Sequence, residues 1–130
     1  MKVKLHIKAD IDKKDLDVVS KFLKFANSEI KLINDVKIEL VDDRTENMTT
    51  GVRLSKHHIK VLCKDRMLID ILRTIGHEWV HEYQHQKMGV KDTDKMQKIG
   101  GWGENMANAV SGILIKKFIK KHKELEDVIY

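Results

Sequence analysis

The chain has 130 residues, 42% of them hydrophobic, which suits one domain spanning 1–130 with a modest core and leaves no room for a second large one. A formal charge of +5 arises from 25 basic and 20 acidic residues, and the lysines are scattered rather than blocked, so a dedicated nucleic-acid binder is not the expected class. The one cysteine, Cys63, has no internal partner, and no stretch has the apolar length of a membrane span or the pattern of a secretion signal; a cytoplasmic monomer without a membrane partner is expected.

Val3, Leu5 and Ile7 alternate with Lys2, Lys4, His6 and Lys8, the period of a strand with one buried face. After Asp10, Leu16, Val19, Leu23, Ala26, Ile30 and Ile33 recur at helical spacing and predict a helix covering the sheet. Val36, Ile38 and Leu40 restore the period of two, and the polar run 42–47 ends that strand before a loop to Gly51. Val52 and Leu54, then Ile59, Val61 and Cys63, predict a hairpin around Ser55, Lys56 and His57, although Leu62 breaks the alternation. Asp65 is expected to cap a long helix and Gly89 to end it, with residues 90–101 forming a connection that holds one helical turn. A last helix is expected from about Gly103 to Lys121, its basic residues spread along one face and a frayed end. These elements make an α+β domain.

Within the long helix, His77-Glu78-Trp79-Val80-His81 puts two imidazoles four residues apart, hence on one face and within reach of a common ion. Zinc favours neutral imidazole nitrogens and leaves a coordination position for water, and Glu78 directly after the first histidine can take that water's proton. With 7 histidines in the chain, this H-E-x-x-H spacing is expected by accident roughly 0.02 times. Leu68, Leu72, Ile75, Trp79 and Tyr83 form the opposite, apolar stripe, so the helix can pack and bind at once.

Two histidines make a weak site, and a third protein ligand is required. His85 lies two turns beyond His77, about 12 Å along an unbroken helix, too far for a shared ion. A metzincin pattern needs glycine and histidine where this chain has Gln84 and Lys87. Glu104 is the better candidate, because Gly100-Gly101-Trp102-Gly103 delivers it flexibly at the start of the last helix. Asn108, one turn on, is placed to accept from the second ring nitrogen of a ligand histidine.

His77-Glu78-x-x-His81 followed by Glu104, with Asn108 four places further, resembles the gluzincin metallopeptidases in a minimal form. The run Glu104-Asn105-Met106-Ala107-Asn108 is similar to the E-x-x-A-N segment of the ImmA/IrrE-type peptidases, and His81-Glu82-Tyr83-Gln84 is similar to small phage-encoded H-E-x-x-H proteins. The resemblance covers residues 65–120. It implies a zincin-like fold, with a small twisted mixed sheet backed by a helix, the motif helix below, and a C-terminal helix carrying the third ligand across a cleft. It implies zinc as cofactor, His77, His81 and Glu104 as its ligands, Glu78 as general base, and endopeptidase action on a peptide or protein substrate.

In that frame the strand at 58–63 would stand at the cleft rim and pair with extended substrate. Gluzincins often use a histidine or tyrosine outside the motif for the oxyanion, and His57, His58, His85, His122 and Tyr130 are the candidates. The tail 127–130 is a candidate internal inhibitor lying in the cleft. The alternative class is a zinc-binding pseudoenzyme or binding module, nucleic-acid-associated through its basic surface.

Overall fold

Alternation at the N-terminus does produce a strand, β1 (Val3–Ile7), and Asp12 then caps α1 (Lys13–Glu29), its carboxylate accepting from Asp15 N at 2.9 Å. The computed structural model describes residues 1–45, 48–90 and 101–130. It continues with β2 (Val36–Val41), β3 (Gly51–Leu54), β4 (His58–Leu62), α2 (Leu68–Met88) and α3 (Trp102–Lys121). A 3-10 turn at Lys123–Leu125 leads into the short α4 (Glu126–Ile129). The expected turn within 90–101 lies mostly outside the described residues.

The four strands form one mixed sheet in the order β1-β2-β4-β3, with β1/β2 and β2/β4 parallel and β3/β4 antiparallel. The fold is therefore α+β. Ile38 and Leu40 of β2 and Ile59 and Val61 of β4 pack into the same core as Phe22, Leu72, Ile75, Trp79 and Phe118 from α1, α2 and α3. Phe22 and Phe118 meet edge to face at 5.2 Å, and Trp79 donates its indole N–H to Ile30 O at 2.9 Å, closing a free carbonyl at the end of α1.

The other sheet face is polar, and a buried Glu39 there is held by Lys8 at 3.1 Å, Lys60 at 3.6 Å and Lys37 at 3.8 Å. Leu62 also faces that side and joins Val41, Met48 and Val52 in a small second cluster, which is why it breaks the alternation. Among the described residues no helix is long and apolar enough to cross a membrane.

Three expectations are corrected. The first helix stops at Glu29, so Ile33 is 59% exposed, while Ile33 and Asn34 donate their backbone N–H groups to Gln86 Oε1 on the way to β2. Asp65 does not cap α2: it takes a left-handed φ of 58° in the turn after β4, and Met67 stands at the N-cap without a side-chain bond. The tail does not enter the cleft, because Ile129 is 1% exposed in the main core and Tyr130 borders a separate groove beside Lys116, Lys117, Lys120 and Lys123. Gly89 does end α2, in the left-handed conformation that favours glycine.

Candidate functional site

The apolar face of α2, with Leu68, Leu72, Ile75 and Trp79 in the core, fixes the rotation of the helix and turns His77, Glu78 and His81 into an open cleft of about 830 Å³. The first turn of α3 closes the other side with Glu104. His77 Nε2 and His81 Nε2 lie 3.1 Å apart, Glu104 Oε1 lies 2.7 Å from His81 Nε2 and 3.3 Å from His77 Nε2. Four ligands about 2.05 Å from a tetrahedral zinc stand about 3.3 Å from one another, so these three atoms approximate one face of such a site. Glu78 belongs to the same cluster: one ligand atom from each of His77, Glu78 and His81 lies within 4.8 Å of the others.

His81 is aligned by a residue that spacing alone does not single out. Gln84, fully buried, donates from Nε2 to Gly103 O at 2.9 Å, so its Oε1 is the acceptor that faces His81 Nδ1 at 3.0 Å. The proton of a neutral His81 ring therefore sits on Nδ1, and the Nε2 lone pair points at His77 and Glu104. Asn108, expected in this role, is exposed and lines the cleft instead. Because Gly103 precedes Glu104, the same amide ties the Glu104 segment to the helix of the two histidines. Gln84→Leu is expected to weaken metal binding 10- to 100-fold, read by competition with a chromophoric chelator, while the chain stays folded.

Glu78 is buried, 8% exposed, and that burial pushes its carboxyl above the usual range against the opposing pull of His81 and His77. β3 runs directly over it. A Cβ on Gly51 would stand 2.4 Å from Thr74 Cγ2 and 3.3 Å from Glu78 Cγ, so only glycine lets the strand lie this close to the acid. No family model, curated protein or solved structure matches this chain. The chemistry therefore has to be argued from these residues.

Two further expectations change. β4 lies between β2 and β3 and has no free edge; the edge strand bordering the cleft is β3. None of the five oxyanion candidates lines the cleft: His57 Nδ1 pairs with Glu82 at 2.7 Å, His58 faces Glu39 on the far side of the sheet, His85 meets Val90 O, His122 meets Glu124, and Tyr130 is at the other groove. Arg53, one of three arginines lining the cleft, lies on the helix-facing side of β3 with its Nε 2.7 Å from Glu82 Oε1. Its only sequence signal is its place two residues after Gly51 in a strand of period two.

Proposed function

We propose that this chain is a zinc-dependent peptidase of gluzincin type with a zincin-like fold, in which His77, His81 and Glu104 hold the metal and Glu78 is the general base. The observation that carries the reading is the convergence of two imidazole Nε2 atoms and one carboxylate oxygen, drawn from two helices, within 3.3 Å. Left without a cation, three electron-rich atoms at that spacing repel one another unless protons intervene, whereas a divalent ion satisfies all three.

Zinc held there would supply a Lewis acid that polarises a carbonyl and eases the deprotonation of water. Glu78, buried beside the ligands, takes the proton of the attacking water on its carboxylate and delivers it to the amide nitrogen that leaves. Gln84 keeps the His81 lone pair aimed at the site throughout. Among the described residues β3 presents an unpaired sheet edge along the cleft, suited to an extended peptide added as a further strand, which would place a backbone carbonyl beside Glu78. Arg53, paired with Glu82, adds a guanidinium to the cleft wall.

The direct test is elemental analysis of the chain purified without a metal-chelating tag, with His81→Ala and Glu104→Ala in parallel. About one zinc per chain, lost in both variants, together with cleavage of unstructured peptides by the wild type, is expected. A wild-type chain that takes up no zinc after reconstitution would sink the reading.

A further inference from the structure

The chain has four arginines among its 25 basic residues, the others being lysines. Among the described residues, Arg53, Arg66 and Arg73 line the cleft and no lysine does. The fourth, Arg44, donates its Nε to the carbonyl of Thr49, itself a lining residue, at 2.7 Å. Among the described residues, a chain rich in lysine thus uses arginine where a cation faces the cleft. The two differ physically: guanidinium is planar, weakly hydrated and matched to a carboxylate by two parallel N–H groups, which an ammonium cannot offer.

The arginines are not equivalent. Arg53 is already matched by the buried Glu82. Arg66 is held by the Leu62 carbonyl at 2.8 Å, the Asp70 carbonyl at 3.1 Å and Thr74 Oγ1 at 2.8 Å, all neutral acceptors that fix its orientation without cancelling its charge. Burial depresses its pKa, against the opposing pull of the nearby Asp70 carboxylate. Arg73 is 59% exposed and meets Asp70 only at 3.6 Å. Arg66, held in place, and Arg73, more exposed, share one acid, Asp70, and so leave this flank of the cleft, towards the start of α2, with a surplus of positive charge.

The geometry points to a substrate class: extended peptides bearing aspartate or glutamate side chains on one side of the bond next to Glu78, read by Arg66 and Arg73. This deepens the peptidase reading and rests on it for the word substrate, whereas the selectivity for carboxylates rests on the arginines alone.

The test uses the full-length, zinc-loaded Glu78→Gln chain and fluorescein-labelled ten-residue peptides that differ only in glutamate, glutamine or phosphoserine at two positions, with binding followed by anisotropy. The glutamate peptide is expected to bind at least tenfold tighter than its glutamine twin, with an advantage that shrinks in high salt. Arg73→Gln, at an exposed position, and Arg66→Lys, which keeps the charge but loses the planar fork, should each remove most of it. Equal affinity for the glutamate and glutamine peptides, or an advantage that survives both variants, would overturn the proposal. So would a phosphoserine peptide bound more than tenfold tighter than the glutamate one, which would reassign the flank to phosphate. Wild-type cleavage of the same peptides separates the two claims: cleavage without acidic preference removes the selectivity alone, and acidic preference in binding without cleavage removes the peptidase reading alone.

Discussion

If the chain is the proposed peptidase, Glu78→Gln is expected to lower peptide turnover by roughly 10²- to 10⁴-fold, the range that general acid–base catalysis covers, and to leave zinc content unchanged. The amide keeps the volume that packs under Gly51 and keeps an oxygen, but it cannot take a proton. In the proposed site His77, His81 and Glu104 hold the metal, so zinc content is expected to survive the replacement. Steady-state cleavage of a fluorogenic peptide, with zinc measured on the same sample, checks both halves. Unchanged function in this variant would instead favour a binding module that keeps metal for stability.

Glu82→Ala is expected to cost about 3–5 kcal/mol of folding stability, a large share of the roughly 5–15 kcal/mol that holds a domain together. Glu82 is fully buried, and its carboxylate meets Arg53 Nε and His57 Nδ1, both at 2.7 Å, as well as Gln86 Nε2. Removing it takes a carboxylate at 2.7 Å away from a guanidinium that is only 7% exposed. The loss should appear in urea titration as a lower midpoint at unchanged slope. The double variant Glu82→Leu with Arg53→Met should regain most of the stability, because no unpaired charge is left, while gaining nothing in activity. A double variant as unstable as the single one would show that the cost comes from lost packing rather than from an uncompensated charge.

The sequence reads well where physics is local. The H-E-x-x-H spacing places both imidazoles on one face of any helix, and the apolar stripe opposite decides which way that face turns, so His77, Glu78 and His81 are legible before any tertiary structure is known. Glu104 is legible because a glycine-rich approach before a helix allows a return to the motif. What escapes is decided at long range. Strand order depends on which slot β4 fills after β3 is laid down, and nothing in the alternation of His58–Leu62 tells an interior strand from an edge. Gln84 is an ordinary polar residue in sequence and acquires its role only when Gly103 arrives opposite it. Arg53 and Glu82 find each other across 29 positions. Asp65 fails as a cap because the chain needs a left-handed residue to turn out of β4, and backbone geometry at that point overrides side-chain preference.

The sheet has two open borders, and they are dressed in opposite ways. β1 is flanked and interleaved by Lys2, Lys4, His6 and Lys8, all exposed, a charged fringe that repels any second copy approaching edge to edge. β3 begins with Gly51 and Val52, carries no lysine, and turns its one cation inward towards Glu82. Stray strands are thus discouraged on one side of the described sheet, and in the proposed function the other side receives the peptide. Self-association and guest entry draw on the same unpaired backbone groups, and the placement of a few lysines is enough to keep them apart.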